Sequence, residues 1–298
     1  MTATPRRTVL VTGATGYIGS QMLPAFRERY DLRLIDVRDT DHAGNPVPGA
    51  QVVDLLNGPD EQIRPLFTGC DAVVHLAYHR GSLTTGPSGA GRDYEDERPN
   101  VDMANRVLRL ALEEGVRRVV IASSNHAADW YEELLHVGKM DMVDPDLTPS
   151  KSDNFYGWAK LAHEALGFVY ASGTRGRKLG NVQVRIGAPR PLDPANFFGE
   201  GKSGGDRAAQ VAHYKRDLGA YISPRDMTQL FVKSIETENI EDEHGIPFQV
   251  FYGISGNARA FWSIVNARKV IGYAPEDDAE MKYADDIRTY LVEPASAS

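Results

Sequence analysis

Tyr156 and Lys160 are spaced so that a helix would place a phenol and an ammonium on the same face, one turn apart. A tyrosine side chain ordinarily titrates near pH 10, which is too high for a base that works at neutral pH. A positive charge beside the phenol lowers that pKa, so Tyr156 is expected to accept a proton. Such a pair also arises by chance, and its interpretation therefore depends on the residues around it.

Three glycines, Gly13, Gly16 and Gly19, follow a strand-like segment and open a helix-like one. Glycines in this context permit a tight turn, close approach of a pyrophosphate and close packing of helix on strand. Backbone N–H groups at the start of such a helix attract the diphosphate. The turn therefore predicts a dinucleotide site. Its predicted cofactor-binding residues are Gly13, Thr15, Gly16, Tyr17, Ile18 and Gly19.

Asp36 ends the second predicted strand, 23 residues after Gly13. An acid at this position accepts hydrogen bonds from the ribose of NAD and repels the 2′-phosphate of NADP. Arg38 is near enough in sequence to accept that phosphate, yet the acid favours NAD as the cofactor. Asp54 and Leu55 follow the third predicted strand and are expected to contact the adenine, although Asp54 is almost equally suited to capping a helix.

Short apolar runs alternate with amphipathic helical segments, which is typical of βαβ units and a parallel sheet. The predicted strands span 8–12, 32–36, 51–53, 71–75, 118–122 and 181–186, and the predicted helices span 18–30, 100–114 and 155–171. We therefore predict an α/β fold with a doubly wound parallel (Rossmann) sheet in residues 1–186. A small substrate-binding lobe is predicted in 187–298, partly interleaved with the sheet through segments near 223–236 and 248–251. Segments 78–99 and 129–154 are expected to be mostly loops.

The composition excludes several classes of protein. The only cysteine, Cys70, rules out an internal disulfide and cysteine-rich zinc sites, and it fits a reducing cytoplasm. The net charge of -8 argues against nucleic acid or an anionic membrane surface as a partner. No apolar run reaches membrane-spanning length, and no signal-peptide core precedes the first strand. A soluble, cytoplasmic protein with no bound metal and a small-molecule substrate is expected.

The string Ser-Ser-Asn-His at residues 123–126 follows the fifth predicted strand, at the edge where parallel sheets place their sites. Together with the glycine turn and the Tyr-Gly-x-x-Lys sequence, it resembles the extended short-chain dehydrogenase/reductase family, which includes nucleotide-sugar epimerases and dehydratases. Within that family the chain is most similar to the uronate dehydrogenases. The similarity extends to Val-Arg-Ile-Gly at 184–187 and to Gly-x-Ser-x-Asn at 253–257.

The resemblance implies a catalytic trio of Ser124, Tyr156 and Lys160. Ser124 would hold the reacting hydroxyl, Tyr156 would remove its proton while hydride passes to NAD, and Lys160 would bind the nicotinamide ribose. Arg216 lies where uronate dehydrogenases place an arginine for the substrate carboxylate, although it is also read as a surface charge. The other implied contacts are Leu76, Ala77, Tyr156 and Lys160 with the cofactor, and Tyr78, Ser124, Asn125 and His126 with the substrate.

These residues predict NAD-dependent oxidation of a sugar or sugar acid, such as a uronate, at the anomeric hydroxyl to a lactone. A nucleotide-sugar epimerase with tightly held NAD is the first alternative, disfavoured because little chain follows the sixth strand to enclose a nucleotide diphosphate. A non-catalytic dinucleotide-binding sensor is the second, disfavoured because Tyr156 and Lys160 are both present. The resemblance also implies a homodimer formed through helices 100–114 and 155–171. The spacing of 32 residues from Ser124 to Tyr156 exceeds the family pattern, which indicates an insertion within 129–154.

Overall fold

The computed structural model describes residues 6–81 and 93–292, and within them seven strands form one sheet in which all neighbours are parallel. The strands are β1 (Thr8–Thr12), β2 (Asp31–Asp36), β3 (Ala50–Val52), β4 (Ala72–His75), β5 (Arg118–Ser124), β6 (Gly180–Ile186) and β7 (Phe248–Gly253). Their order is β3-β2-β1-β4-β5-β6-β7, so the direction of winding reverses between β1 and β4. This is a doubly wound sheet, and the predicted fold class is confirmed.

Alternate side chains of the central strands enter two apolar layers, one on each face of the sheet. Val9 and Val11 of β1 pack in one layer, whereas Leu10 packs in the other. Every residue of β4 and β6 is buried. Burial on both faces explains the apolar run of β4, whereas β6 also buries the polar side chains of Asn181, Gln183 and Arg185. It also leaves the strand ends as the places where polar groups reach a ligand.

Helices cover both faces of this sheet. They are α1 (Tyr17–Arg29), α2 (Asp60–Ile63), α3 (Tyr94–Glu113), α4 (Trp130–His136), α5 (Phe155–Ala171), α6 (Arg207–Ala220), α7 (Pro224–Glu236), α8 (Val265–Ile271), α9 (Ala279–Lys282) and α10 (Ala284–Ile287). The helix predicted at 155–171 coincides with α5, and the one predicted at 18–30 is displaced by one residue from α1. A short 3-10 turn, Asn125–Ala128, links β5 to α4.

The start of α3 corrects the sequence-based assignment of 78–99 as a loop. The helix begins at Tyr94, because the Asp93 side chain accepts from the Asp96 N–H at 3.1 Å and the Asp96 side chain accepts from the Asp93 N–H at 3.2 Å. This reciprocal capping stabilises the first turn. Pro99 lies inside the helix, although a proline ordinarily marks a helix boundary. Residues 82–92 of the predicted loop lie outside the described residues.

The chain after β6 returns to the sheet. β7 pairs with β6 in parallel from Asn181 opposite Phe248 to Ile186 opposite Gly253. α7 packs against α1 and β5, and therefore covers one face of the sheet. Part of residues 187–298 thus completes the sheet that residues 1–186 begin. The division into a cofactor domain and a substrate lobe stays a prediction.

Candidate active site

The glycine turn between β1 and α1 lies directly against the end of β4. Gly13 has a φ of +69°, and a Cβ at this position would lie 2.5 Å from the backbone nitrogen of Ala77. At Gly19 a Cβ would lie 2.4 Å from the carbonyl oxygen of Ala14. Only glycine fits at either position, because the obstructing atoms belong to the backbone. The turn therefore brings the start of α1 close to residues 76–78.

The start of α1 has the properties of a dinucleotide-phosphate site. Its N-cap residue is Gly16, which has no side chain to accept from the first N–H groups of the helix, including those of Tyr17 and Ile18. Asp36 lies beside the turn: its carboxylate accepts from the Thr15 N–H at 3.0 Å and from the Val37 N–H at 2.7 Å. These groups fit a diphosphate and an adjacent ribose.

Asp54 caps its own turn. Its carboxylate accepts from the N–H groups of Leu56 and Asn57, each at 2.9 Å, and from the Asn57 side chain at 3.0 Å. The hydrogen bonds from Asn57 lower the pKa of Asp54. Leu55 is buried in the apolar layer that contains Leu10. The adenine contacts predicted for Asp54 and Leu55 stay predictions. Asp54 caps a turn and not a helix, because the next helix begins at Asp60 with Pro59 as its N-cap.

Lys160 is buried below the carboxyl ends of the central strands. The first turn of α5 is capped by Asn154, whose side chain accepts from the Gly157 N–H at 2.9 Å. One turn later, the Lys160 ammonium donates to the Ala122 carbonyl of β5 at 3.0 Å. Burial lowers the pKa of Lys160 to about 8, while the nearby carboxylates of Glu97 and Glu164 oppose that shift. The structure thus anchors the ammonium to the strand that ends in Ser124.

The Tyr156 ring is surrounded by Lys160 of its own helix and by side chains from two other segments. The Lys160 Nζ lies 5.7 Å from its centroid, and the rings of Tyr78 and His126 meet it edge-on at 5.7 Å and 5.5 Å. The phenol and the ammonium, which the sequence spacing placed on one helical face, therefore do lie together. Tyr78 and His126, predicted to contact the substrate, both lie against this ring.

Ser124 and Asn125 form the end of β5 and the start of the following turn. The Ser124 hydroxyl donates to the Asn125 side-chain oxygen at 3.3 Å and accepts from the His126 N–H at 3.3 Å. Asn125 is 2% exposed, and its Nδ2 has no hydrogen-bond partner within the described parts of the chain. A buried amide donor without a partner is uncommon and suits a site that awaits a ligand oxygen.

His126 is oriented by a carboxylate that sequence reasoning missed. Its Nδ1 lies 2.7 Å from the Asp129 carboxylate, which also accepts from the Asn154 side chain at 2.9 Å. Asp129 belongs to the segment read as an insertion. Because Asn154 also caps α5, one network holds both the imidazole and the helix that bears Tyr156. The adjacency of Asp129 to the Ser-Ser-Asn-His string was the only signal in the sequence.

Gly157 and Glu97 are two further residues that the sequence did not mark. A Cβ at Gly157 would lie 2.2 Å from the His126 carbonyl oxygen, so glycine lets α5 lie against the turn after β5. Glu97 of α3 is fully buried; it accepts from the Tyr78 hydroxyl at 2.6 Å and from the Asn100 side chain at 3.1 Å. It was missed because its segment was read as a loop.

Arg216 of α6 is largely buried and is engaged by two carboxylates. Its Nη2 and Nε donate to the Glu132 carboxylate at 2.6 Å and 3.1 Å, and its Nη1 donates to Asp217 at 3.0 Å. Its guanidinium lies 5.3 Å from the Trp262 ring centroid. The surface-charge reading of Arg216 is wrong, whereas its predicted contact with a substrate carboxylate stays a prediction. Arg185 of β6 binds Glu164 at 2.7 Å in the core.

Comparison with known proteins identifies the class to which this site belongs. The model of the NAD dependent epimerase/dehydratase family matches residues 9–187, and the chain belongs to that family. The predictions of NAD as the cofactor and of an NAD-dependent enzyme of the extended short-chain dehydrogenase type are thereby confirmed. None of the described helices is long and apolar enough to cross a membrane.

Individual relatives extend the similarity over nearly the whole chain. An NAD-dependent glucose-6-phosphate dehydrogenase of Haloferax volcanii is 29% identical over 91% of this chain and 94% of its own. A uronate dehydrogenase of Pseudomonas syringae pv. tomato is 26% identical over 94% of this chain and 86% of its own length. The crystal structure of uronate dehydrogenase from Agrobacterium tumefaciens has the same fold, with a TM-score of 0.67 and 24% identity over 95% of this chain and 89% of that one. The predicted similarity to the uronate dehydrogenases is confirmed.

Proposed function

We propose that this chain is an NAD-dependent dehydrogenase that oxidises a sugar or sugar acid at its anomeric hydroxyl, giving a lactone. The observation that carries the proposal is a continuous path from the cofactor turn to the base. Gly13 lies against the backbone of Ala77, and the next residue, Tyr78, meets the Tyr156 ring. A dinucleotide site and a phenol–ammonium pair therefore share one edge of the sheet. Relatives named for glucose 6-phosphate and for uronates support a sugar as the substrate.

The residues of the trio have separate tasks in this proposal. Bound NAD supplies the hydride acceptor. The Ser124 hydroxyl holds the anomeric hydroxyl of the sugar, and the Tyr156 phenolate takes its proton. The Lys160 ammonium, fixed by the Ala122 carbonyl, stabilises the phenolate by its charge. Holding these groups in place lowers the entropic part of the barrier.

Asn125 and His126 are proposed to orient the sugar ring. The Asn125 Nδ2 donor is available to a ring or hydroxyl oxygen, since no described group accepts from it. The Asp129 carboxylate engages Nδ1 of His126, which leaves Nε2 as the ring nitrogen that meets the sugar. Each contact raises the share of bound sugars whose anomeric hydroxyl faces the base.

Replacing the base tests the proposal. Purified protein is supplied with NAD and a panel of uronates, aldoses and sugar phosphates, and NADH is followed by its absorbance. We expect turnover by the wild type, while Tyr156→Phe lowers kcat by about 1000-fold because the general base is lost. NAD affinity should stay unchanged in a binding titration. Tyr170→Phe is the matched control. Tyr170 lies on the same helix but outside the site, and its hydroxyl donates to the Asn105 side chain at 2.8 Å. Robust turnover by Tyr156→Phe would remove Tyr156 from the role of base.

The same assay separates the alternatives. An epimerase would retain NAD through purification and interconvert nucleotide sugars without net NADH. A sensor would bind NAD and leave every sugar unchanged. Identification of the product by NMR distinguishes a lactone from a product oxidised at another carbon.

A homodimer through α3 and α5 is also proposed. The two helices pack side by side, and an aromatic cluster lies at the start of both. Tyr94 and Phe155 are each 43% exposed, and their rings lie 5.2 Å and 6.2 Å from Trp158. Exposed aromatic clusters are typical of contact surfaces. Light scattering should give the mass of two chains for the wild type and of one chain for Tyr94→Glu, which places a charge within this cluster. A monomeric wild type would contradict this part of the proposal.

A further inference from the structure

The ion cluster around Arg216 is linked through α4 to the proposed substrate side. Glu132 is on α4, one helical turn after Asp129, and Asp129 holds His126 against the Tyr156 ring. On the other side, the Trp262 ring beneath the Arg216 guanidinium is 6.2 Å from the ring of Tyr252, whose hydroxyl accepts from Arg185 at 2.9 Å. The segment 129–154 therefore contacts the site through Asp129 and the cluster of Arg216, Glu132 and Asp217 through Glu132.

The guanidinium in this cluster is already bound by a carboxylate, the group through which a sugar acid would bind it. The Glu132 carboxylate takes the edge formed by Nε and Nη2, with both of its oxygens bound. That two-point contact is the geometry in which arginine recognises carboxylates. Asp217 takes a third donor from the opposite end of the guanidinium.

The charges in the cluster also oppose an anionic ligand. One guanidinium faces two carboxylates, and the side chains of Arg216, Glu132 and Asp217 are 14%, 19% and 3% exposed. An incoming carboxylate or phosphate would have to displace Glu132 and leave it poorly solvated without its cation. Breaking a largely buried ion pair in this way is strongly unfavourable. An uncharged sugar does not have to displace Glu132, and its hydroxyls donate readily to carboxylates held by an arginine.

We propose that the Glu132 carboxylate takes the place of a substrate anion at Arg216, so that this chain oxidises a neutral aldose in preference to a uronate or a sugar phosphate. This inference rests on the dehydrogenase function proposed above and narrows its substrate class. It also gives the segment 129–154 a role, since that segment supplies the carboxylate.

Matched sugars test this preference. Galactose and galacturonate differ only in whether C6 is an alcohol or a carboxylate. Glucose and glucuronate form a second such pair, and glucose 6-phosphate extends that pair to a phosphate at C6. We expect kcat/KM for each aldose to exceed that for its anionic counterpart by about tenfold or more. Glu132→Gln, which removes the charge and keeps the shape, should raise kcat/KM for the uronates about tenfold, because a carboxylate then competes with an amide for Arg216. Glu133→Gln is the control, since it makes the same change of charge at the next, exposed residue.

Three results would overturn the inference: a wild type that prefers the uronate or the sugar phosphate, an equal effect of Glu132→Gln and Glu133→Gln, or no effect of Glu132→Gln on the substrate ratio. Glu132→Ala opens the same edge of Arg216 and serves if the glutamine variant does not fold.

Calorimetric titration of galactose and galacturonate into the NAD complex of Tyr156→Phe measures the preference without turnover. Tighter binding of galactose supports the inference even if no sugar is oxidised, in which case the proposed dehydrogenase function fails on its own. Tighter binding of galacturonate, or binding of neither sugar, refutes the inference independently of that function.

Discussion

The cofactor half of the site and its substrate half are built from contacts of different kinds. At the cofactor half, Gly13 and Gly19 meet backbone atoms, and Asp36 accepts from the backbone N–H groups of Thr15 and Val37. At the substrate half, side chains meet side chains: His126 meets Asp129, and Arg216 of α6 meets Glu132 of α4. A position that packs against backbone atoms accepts few residue types, whereas a pair of contacting side chains can be replaced by another pair. On the proposed function, the backbone contacts of the cofactor half hold NAD, while the side chains of the substrate half supply the base and determine which sugar binds.

The largest expected effect comes from breaking the cofactor half at Gly13. Gly13→Ala combines a positive φ with a Cβ 2.5 Å from a backbone atom, so the free energy of unfolding should fall by about 4 kcal/mol. Gly44→Ala is the control, because Gly44 has a φ of +84° and nothing within 4 Å of its Cβ. It should lose about 1 kcal/mol. Urea unfolding measures both, and equal losses would show that the close approach to Ala77 does not matter.

Lys160 provides a pH test of the substrate half. Burial lowers its pKa to about 8, so at neutral pH the folded state carries the cost of a buried charge. Between this pKa and the ordinary value near 10.4, the unfolded chain binds more protons, and stability therefore rises with pH by up to about 3 kcal/mol. Lys160→Met lacks that rise. The difference in unfolding free energy between the two proteins should change between pH 7 and pH 10, and a constant difference would contradict the burial of a charged lysine.

Gly157→Ala tests the substrate half separately, because the contact at Gly157 joins α5 to the turn after β5. In Gly157→Ala, the new Cβ would lie 2.2 Å from the His126 carbonyl oxygen, so the first turn of α5 must move and carry Tyr156 with it. We expect kcat to fall on the order of 100-fold while NAD affinity stays the same. Gly167→Ala, on the same helix but 2.1 Å from the Asn181 side chain, should lower stability and leave kcat intact. Parallel losses in NAD affinity would show that the halves are not separable.

The smallest expected effect is at Asp36, at the rim of the cofactor half. Asp36→Ala should lower kcat/KM with NAD about tenfold, because hydrogen bonds to a charged acceptor are lost. It should raise kcat/KM with NADP, since the repulsion of the 2′-phosphate disappears. Asp39→Ala, at an exposed acid three residues on, is expected to change neither value. A wild type that uses NADP better than NAD would contradict the role of Asp36.

Most of the fold was predictable because its signals are local. The apolar runs located the strands, and the bounds of α5 followed from the spacing of its apolar residues. The start of α3 was not predicted, since Pro99 is a local signal for a boundary and the cap formed by Asp93 and Asp96 outweighs it. Of the site, the glycine turn and the pair of Tyr156 and Lys160 were predicted. The partners Glu97 and Glu132 were not predicted, because nothing local says which distant group an acid will meet, and Asp129 was missed although it follows His126 by three residues.

The sequence by itself determined the α/β class, the dinucleotide turn and the placing of a phenol and an ammonium on one helical face. These features depend on the conformational freedom of glycine and on the period of a helix, which act over a few residues. Only the tertiary structure decided the surroundings of those groups: Lys160 is buried against Ala122, Glu97 accepts from Tyr78, and Glu132 occupies Arg216. Those contacts join segments from 19 to 84 residues apart, so they exist only once the elements have packed.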